Sequence, residues 1–568
     1  MQKHRLIVLI AFCLLLAGCT ANHYRKSADR EAASVIAEKT PQVPNMDPHF
    51  SIEQKALEGL DDLPLNEQVD ESLGTEKEVE RSARILSLER SLSVAVKSSR
   101  EYQTQKEILY LAALNLTLVR HLYTPIFSSG ASASVQNQPQ DIAKAIDQLT
   151  GTQTSLLQPE TEVVQQYNAS GQANIAGAVL LRTGARLLTS FNIDFLKFLN
   201  GDARLFVKSS LAGALTQPLL RGAGYKVTME NLTQAERTML YELRDFTQNR
   251  KDLSVRVAQT YYGVLSARDA VRNNWLAYQS FQQNVDRSRA LAAEGRIAQS
   301  DLGQVEQALL TSATIWIGSI RSYKQNLDQF KILLGLPTDA RVILDDKELE
   351  GLRIVHPVIL AEEAVQVALV TRLDLATSRD RKADAERQVY VAADGLKPML
   401  NLVVSGNIDN KPGSNNPLDL DLERARGSMG LNLELPIDRK AERNRYRAAL
   451  IQKEQAARQL QLQEDTIKLQ VFDTWRRLDQ AKRNYEINEL GVKLAERRVE
   501  EQELRAELGK VTGRELVDAQ SALVSSRNSR TTALVDHTIA RLQFWNNLGI
   551  LFIKENGQWQ EVNDAKSN

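Results

Sequence analysis

The sequence predicts a mainly α-helical protein with a smaller β part, and three observations support that fold class. Residues that break regular structure are scarce, with 28 glycines and 14 prolines among 568 residues. Apolar residues follow a heptad pattern over long stretches, and this pattern occurs twice. No proline lies between Pro218 and Pro337 or after Pro436. Long helices fit in these windows because an interior proline breaks a helix.

The composition is that of an ordinary globular protein with no excess charge. Apolar residues make up 43% and charged residues 25% of the chain, which argues against a bundle of membrane-spanning helices and against general disorder. Lysine and arginine total 71, as do aspartate and glutamate. The chain therefore lacks the basic excess that nucleic-acid binding requires, and we expect no nucleic-acid partner.

The N-terminus carries the features of an export signal. Lys3 and Arg5 precede an apolar run over 6–16, followed by Leu-Ala-Gly-Cys at 16–19. This order predicts a signal peptide over residues 1–18. The last four residues resemble a bacterial lipobox, which implies that Cys19 is acylated, for example with palmitate. An ordinary signal peptide that happens to contain cysteine is the alternative. Without Cys13 the mature chain keeps a single cysteine, so it can form no internal disulfide.

The duplication is clearest in two heptad seams. From Leu253 onward apolar residues recur at alternating spacings of four and three, and adding 214 to each number gives a second such series. The first series contains Leu253, Val257, Val264 and Val271, and the second contains Ile467, Val471, Leu478 and Tyr485. The tip glycines Gly295 and Gly509 are related by the same offset. A heptad repeat of this length predicts a coiled-coil seam in each half.

Two proline-bounded blocks alternate with period two instead. In the first block, about 125–218, Leu187, Phe191 and Ile193 alternate with polar residues, and the second block is about 398–436. Such alternation predicts half-buried strands. The first block is about 55 residues longer, and residues 181–185 resemble an additional tight turn. An extra hairpin and a long loop both explain the difference.

The predicted helix lengths suggest a cylinder wall rather than a globule. Helices over 228–294 and 441–508 would each be about 100 Å long. The shorter helices 300–334 and 358–397, stacked end to end, would equal one long helix in length. In the second half, helix 514–548 would have to stack on helix 85–122, so that the end of the repeat meets its beginning.

Together these features resemble the TolC-like outer-membrane efflux proteins. The most similar stretches are 88–95, 217–224 and the two hairpin tips at 295–302 and 509–518. The resemblance implies duplicated coiled-coil helical hairpins that form a periplasmic α-barrel, and strands that contribute to a shared trimeric transmembrane β-barrel. It divides the chain as follows: an N-terminal linker (19–84), a first repeat (85–335), a connecting segment (336–357), a second repeat (358–550) and a C-terminal tail (551–568).

Strand counting independently favours a homotrimer. Two strands from each half cannot close a barrel around a water-filled lumen. Open sheet edges are not tolerated in lipid, so several chains must complete the barrel.

The resemblance implies a passive outer-membrane exit duct for efflux or type I secretion, working with a periplasmic adaptor and an inner-membrane pump. We expect no enzyme activity, because no nucleophile–base pair and no paired carboxylates stand out in the sequence. We also expect no cofactor, and no metal site, since the six histidines are scattered without ligand spacing. A periplasmic coiled-coil scaffold lipoprotein without channel activity is the main alternative, and a lipid-anchored enzyme is a third. The substrate and the pump type are not predicted.

The resemblance also places acidic gate residues at the periplasmic tips. Glu515 and Asp518 share one helix face at spacing i,i+3 and would form two acidic rings in a trimer. Asp301 is the equivalent of Glu515 in the first half, and capping of its helix is the alternative role for it.

Further tip residues are predicted to form the turns and to contact the adaptor. They are Gly295, Arg296, Gly509, Lys510 and Arg514. The two glycines are expected to end the long helices in a left-handed conformation.

Overall fold

The computed structural model describes residues 20–53, 60–143, 161–199, 205–508 and 511–560. The predicted fold class is confirmed, because helices dominate and a smaller β part is present. The chain divides into two compact units. The first comprises Met1–Ala113, Thr238–Arg381 and Ala457–Asn568, and the second comprises Leu114–Arg237 and Lys382–Ala456. The signal peptide and Cys19 lie outside the described residues.

The longer helices account for most of the described chain. In chain order they are α1 (Ala21–Lys39), α2 (Leu88–Ser98), α3 (Arg100–His121), α4 (Glu230–Ala293), α5 (Gln299–Leu334), α6 (Ala361–Thr371), α7 (Leu373–Asp394), α8 (Lys440–Glu507) and α9 (Gly513–Asn547). Short helices also form at Lys77–Glu80, Tyr225–Thr228 and Lys347–Glu350. Among the described residues, no helix combines the length and the apolar character needed to cross a membrane.

Within the part of the chain that the structure describes, the strands form one large sheet and two small ones. They are β1 (Arg84–Leu86), β2 (Ile126–Ala143), β3 (Thr161–Leu180), β4 (Arg186–Phe198), β5 (Leu205–Pro218), β6 (Val342–Leu344), β7 (Met399–Asp409), β8 (Arg426–Glu434), β9 (Phe552–Ile553) and β10 (Trp559–Gln560). The large sheet lies in the second unit and has the order β2-β3-β4-β5-β7-β8, with antiparallel neighbours throughout. The additional length of the first strand block is therefore an extra hairpin.

The two faces of the large sheet differ in polarity. One row across four strands consists of Ile175, Phe191, Leu211 and Ile408, and the adjacent row consists of Asn174, Asn192, Ser210 and Asp409. Successive side chains of a strand point to opposite faces, so each row belongs to one face. Phe127 and Met429, on the apolar face, are 77% and 75% exposed. Near the start of β5 the same face is covered, because Val207 and Ser209 are buried there and the Ser209 hydroxyl donates to the carbonyl of Pro417 at 2.6 Å.

The heptad seams of the first unit are buried as predicted. Leu253 and Val257 on α4 and Ile467 and Val471 on α8 are all buried. Thr474, one of the polar residues in the seam, is also buried, and its hydroxyl donates to the carbonyl of Gln470 at 2.8 Å. The seams hold α4 and α8 as unbroken helices of 64 and 68 residues.

The flanking helices are interrupted at equivalent positions. Ser99 separates α2 from α3, and Arg372 separates α6 from α7. Both residues are extended, with ψ near 124° and 126°. The predicted segments 85–122 and 358–397 are therefore each two helices, a break that no glycine or proline marks in the sequence.

The C-terminal ends of α5 and α9, the helices that follow the two hairpin tips (the return helices), pack against these breaks. Gly335, which ends α5, packs so closely that a Cβ atom there would lie 2.0 Å from the carbonyl oxygen of Ser98. Gly549 approaches Thr371 in the same way, at 3.1 Å. The predicted end-to-end pairing is therefore wrong, because each return helix meets the flanking helices of its own half. Phe544 and Leu548 bury their side chains against Ala368 there.

The N-terminal segment is packed rather than a free linker. Glu80 is 7% exposed and accepts from the Arg268 guanidinium at 2.9 Å and from the Tyr323 hydroxyl at 2.7 Å. Asp70 accepts from Arg272 at 3.1 Å. Apolar residues are sparse in this segment, so its composition indicated little core. Buried apolar side chains within residues 32–83 and these ion pairs together pack the segment against the rest of the first unit.

Candidate functional site

The first hairpin tip joins α4 to α5 by a short turn. Gly295 has φ +73°, the left-handed conformation predicted for it, and its N–H donates to the carbonyl of Ala292 at 3.0 Å. Arg296 is exposed, and its guanidinium lies 3.6 Å from the Glu294 carboxylate. This turn leaves the Arg296 side chain accessible to a partner.

The second tip is described only from residue 511 onward. The predicted tip residues Gly509 and Lys510 lie outside the described residues. Helix α9 begins at Gly513 with Thr512 as N-cap. The Thr512 hydroxyl oxygen accepts from the backbone N–H of Glu515, and the Glu515 carboxylate accepts from the N–H of Thr512 at 2.9 Å. The pair forms a capping box.

The capping box gives Glu515 a structural role besides the predicted gate role. The backbone N–H and the hydroxyl of Thr512 hold the pKa of the Glu515 carboxyl below its ordinary value. Glu515 is exposed, so it remains an ionised surface carboxylate. Sequence reasoning missed this role, although Thr512-Gly513-Arg514-Glu515 matches the known capping-box pattern.

The first tip lacks the equivalent cap. Asp301 lies in the first turn of α5, at the position corresponding to Glu515. The N-cap residue, however, is Ala298, whose side chain cannot accept a hydrogen bond. Asp301 can therefore favour its helix through the dipole of the N-terminus but has no reciprocal partner.

Asp518 lies near a basic side chain of its own helix. The Arg514 guanidinium and the Asp518 carboxylate are 3.9 Å apart at spacing i,i+4, and both side chains are largely exposed. Surface pairs of this kind contribute little to stability. Asp518 and Glu515 are both exposed on the first turns of α9.

A long cleft in the first unit begins beside these residues. Its volume is about 1350 Å³, and Arg514 and Asp518 are among the residues that line it. Most of the other polar lining residues are uncharged glutamine, asparagine, serine and threonine side chains from α4, α5, α8 and α9, such as Gln304, Asn484 and Ser525. The cleft is therefore lined by uncharged polar and apolar side chains, with few charges.

One group of possible metal ligands occurs among the described residues. Asp47, His49 and Glu555 place their ligand atoms within 4.8 Å of one another. His49 already pairs with Glu555 at 2.9 Å, and both side chains are largely exposed. We assign no metal site to this group.

Comparison with known proteins identifies the fold. Residues 364–549 match the sequence profile of the family described as outer membrane efflux protein. The resemblance to the TolC-like outer-membrane efflux proteins is confirmed. No curated protein sequence matches the chain.

Solved outer-membrane channels share this fold at low sequence identity. The Campylobacter jejuni CmeC channel is 14% identical, with a TM-score of 0.58 over 91% of this chain and 94% of that one. The Neisseria gonorrhoeae MtrE channel is 13% identical, with a TM-score of 0.57 over 82% and 89%. Vibrio cholerae VceC, an outer membrane protein, is 13% identical, with a TM-score of 0.53 over 81% and 96%.

Proposed function

We propose that the protein is the outer-membrane channel of a tripartite efflux or type I secretion system. It would act as a passive trimeric exit duct, supplied by an inner-membrane pump and a periplasmic adaptor. The observation that carries this proposal is the six-stranded sheet with one apolar and one polar face. An apolar face toward lipid and a polar face toward water is the pattern of a transmembrane β-barrel wall.

The outer strands of the sheet favour assembly with further copies. Within the described sheet, β2 and β8 each pair with only one neighbouring strand. An open edge in lipid leaves backbone groups without partners, at several kcal/mol each. Pairing of β8 with β2 of the next copy removes both edges in a closed ring.

An exposed apolar stripe on α8 also favours assembly. Leu490 and Leu494 are 61% and 66% exposed, although an isolated helix surface would favour polar residues there. Leu462, Leu469 and Leu504 are exposed at the same heptad position as Leu490, with arginines at the intervening positions 476, 483 and 497. The stripe lies apart from the buried seam of α8, so a second coiled-coil contact with another copy would cover it.

Channel activity separates the duct from a scaffold lipoprotein. The purified full-length protein in detergent should give a mass of about three chains by light scattering. In planar bilayers it should conduct ions. A monodisperse monomer would refute the shared barrel, and three chains without conductance would favour the scaffold.

Acylation of Cys19 would anchor the N-terminus in the outer membrane, with α1 to α9 on the periplasmic side. Each buried methylene of the lipid contributes about 0.8 kcal/mol. Cys19→Ser should abolish labelling with radioactive palmitate, whereas Cys13→Ser should leave it unchanged. Persistent labelling of Cys19→Ser would contradict the lipobox reading.

We propose that Glu515 and Asp518 select cations at the tip. Because glutamine also serves in a capping box, Glu515→Gln removes the charge while it keeps the cap. Glu515→Gln with Asp518→Asn should lower cation selectivity and raise the resting conductance in single-channel recordings. Thr512→Ala, which breaks the cap and keeps both charges, is the control. If only Thr512→Ala changes conduction, the role of Glu515 is capping.

The tip turns would also contact the adaptor. Arg296 is exposed at the first tip, and Lys510 and Arg514 add positive charge at the second. Arg296→Glu should reduce cross-linking to the adaptor in cells, with Arg289→Glu, on the side of α4, as the control. Equal cross-linking by both variants would exclude a contact at the first tip.

A further inference from the structure

The first strand block contributes two more strands than the duplication predicts. The second block forms one hairpin, β7 and β8, between α7 and α8. The corresponding interval between α3 and α4 contains β2, β3, β4 and β5. The inserted pair is β3 with β4, since the first and last strands of the block occupy the positions of β7 and β8.

The inserted pair is a full part of the sheet. Residues 168–180 of β3 pair with 186–198 of β4 without a bulge, and β4 pairs with β5 over 186–197. The alternation stays in phase, because Ile175 lies opposite Phe191 and Asn174 lies opposite Asn192. Both strands therefore continue the apolar and the polar face.

The turn between β3 and β4, residues 181–185, is hydrogen-bonded to the end of β5 and to the connection that follows it. The carbonyl of Thr183 accepts from the N–H of Gly224 at 3.0 Å. The Thr183 hydroxyl donates to the Gln217 side-chain oxygen at 3.1 Å. Gly184 has φ +92°, and a Cβ atom on it would lie 2.6 Å from the carbonyl oxygen of Gly222. Such fixed packing is unlike a loop that lies free over the sheet.

We propose that the inserted hairpin widens the outlet, so that three copies form one barrel of eighteen strands, six from each chain. The proposal rests on the trimeric duct proposed above. With strands about 4.8 Å apart and tilted by about 40°, eighteen strands enclose a backbone ring roughly 36 Å across, against roughly 24 Å for twelve.

The side chains of the polar face, which would point into the lumen of this ring, are too short to fill it. On the inserted strands this face carries short side chains, including Ser170, Asn174, Ser190 and Asn192. None of these can reach across a bore of this size.

Electron cryo-microscopy of the full-length protein in nanodiscs tests the proposal directly. Eighteen strands in a ring of three copies, with β8 beside β2 of the next copy, is the expected result. Three copies around a twelve-stranded ring, with the hairpin outside it, would overturn the widened outlet and leave the duct intact. A monomer would remove the duct itself, and the widened outlet with it.

Disulfide trapping gives a second readout. Ser428→Cys on β8 is combined in turn with Ser128→Cys, Ser132→Cys or Ser134→Cys on β2, all on the polar face. At least one combination should give a covalent ladder up to three chains. Ser428→Cys with Ser190→Cys, on an inner strand, is the control and should give none. Products within one chain only would show that six strands close on themselves.

Polymer exclusion measures the width of the outlet. Polyethylene glycols of graded size are added to one side of a bilayer that contains the channel. From the outlet side, the largest polymer that lowers conductance should be about 1.5-fold wider than a twelve-stranded ring admits. A cut-off equal to that of a twelve-stranded ring would contradict the widened outlet.

Discussion

At the scale of single residues, Gly184 is the position where the inserted hairpin is least tolerant of change. Gly184→Ala should destabilise the second unit by about 1–3 kcal/mol, because the left-handed backbone and the contact with Gly222 are both unfavourable for a side chain. The measurement is thermal unfolding in detergent, followed by circular dichroism. Gly213→Ala is the matched control, since no atom lies within 4 Å of a Cβ built on this strand glycine. Equal melting of the two variants would contradict the docked turn.

His537 should make the stability of the first unit depend on pH. Burial, and then the neighbouring His356, Arg541 and Lys482, lower the pKa of the His537 imidazole to about 4. Its Nε2 atom has no hydrogen-bond partner among the described residues. The folded state therefore binds fewer protons than the unfolded state, whose histidine has a pKa near 6.5. Stability is complete above about pH 6.5 and falls as the pH drops toward 4.

The test compares thermal unfolding of two variants at pH 7.5 and pH 5. His537→Phe should lose less stability on acidification than the unmodified protein, by up to roughly 2 kcal/mol. His49→Gln, at an exposed position, should behave like the unmodified protein. An unchanged pH dependence in His537→Phe would assign the acid sensitivity to other groups.

Individual residues were predictable where one pattern determined their environment. The buried seam residues Leu253 and Ile467 and the left-handed Gly295 follow from heptad spacing and from the end of a long helix. The ion pairs of Glu80 were not predictable. They join residues almost two hundred positions apart, and charged residues in sequence indicate solvent more often than burial.

At the scale of the elements, the two tips offer a natural comparison of helix capping. Ala298→Thr should create at the start of α5 the cap that Thr512 provides for α9, because Asp301 already occupies the position of the reciprocal carboxylate. The gain should be about 1 kcal/mol. Thr512→Ala should lose a similar amount. Hydrogen exchange of the amides in the first helical turn should slow in Ala298→Thr and accelerate in Thr512→Ala. The opposite changes would show that the turns, and not the helix caps, determine the stability of the tips.

The elements themselves were largely predictable, and their junctions were not. Long proline-free heptads gave α4 and α8 to within two residues, and period-two alternation located both strand blocks. The breaks at Ser99 and Arg372 were missed because the cause is distant, namely the close approach of Gly335 and Gly549. The period-two alternation of apolar residues also could not distinguish an extra hairpin from a long loop in the first strand block, since only strand pairing distinguishes them.

At the scale of the whole molecule, the exposed stripe on α8 should hold the copies together. Leu494→Glu places a charge in the contact that would cover this stripe, so it should shift the protein from trimer to monomer while the helix content is retained. Light scattering and circular dichroism of the same sample measure both. Lys493→Glu, the exposed neighbour on another face, is the control and should stay trimeric. A trimeric Leu494→Glu would show that the strands alone sustain assembly.

The sheet with two open edges has a consequence for biogenesis. A newly exported subunit carries an apolar sheet face that is largely exposed and two edge strands that are each paired on one side only. Both features promote aggregation in water, and open strand edges are unfavourable in lipid. Subunits must therefore associate before or during insertion. Because several subunits must meet, the rate of channel formation depends on a power of the subunit concentration that is greater than one. Halving the rate of synthesis should reduce the number of channels by more than half, with the surplus subunits lost to periplasmic proteolysis.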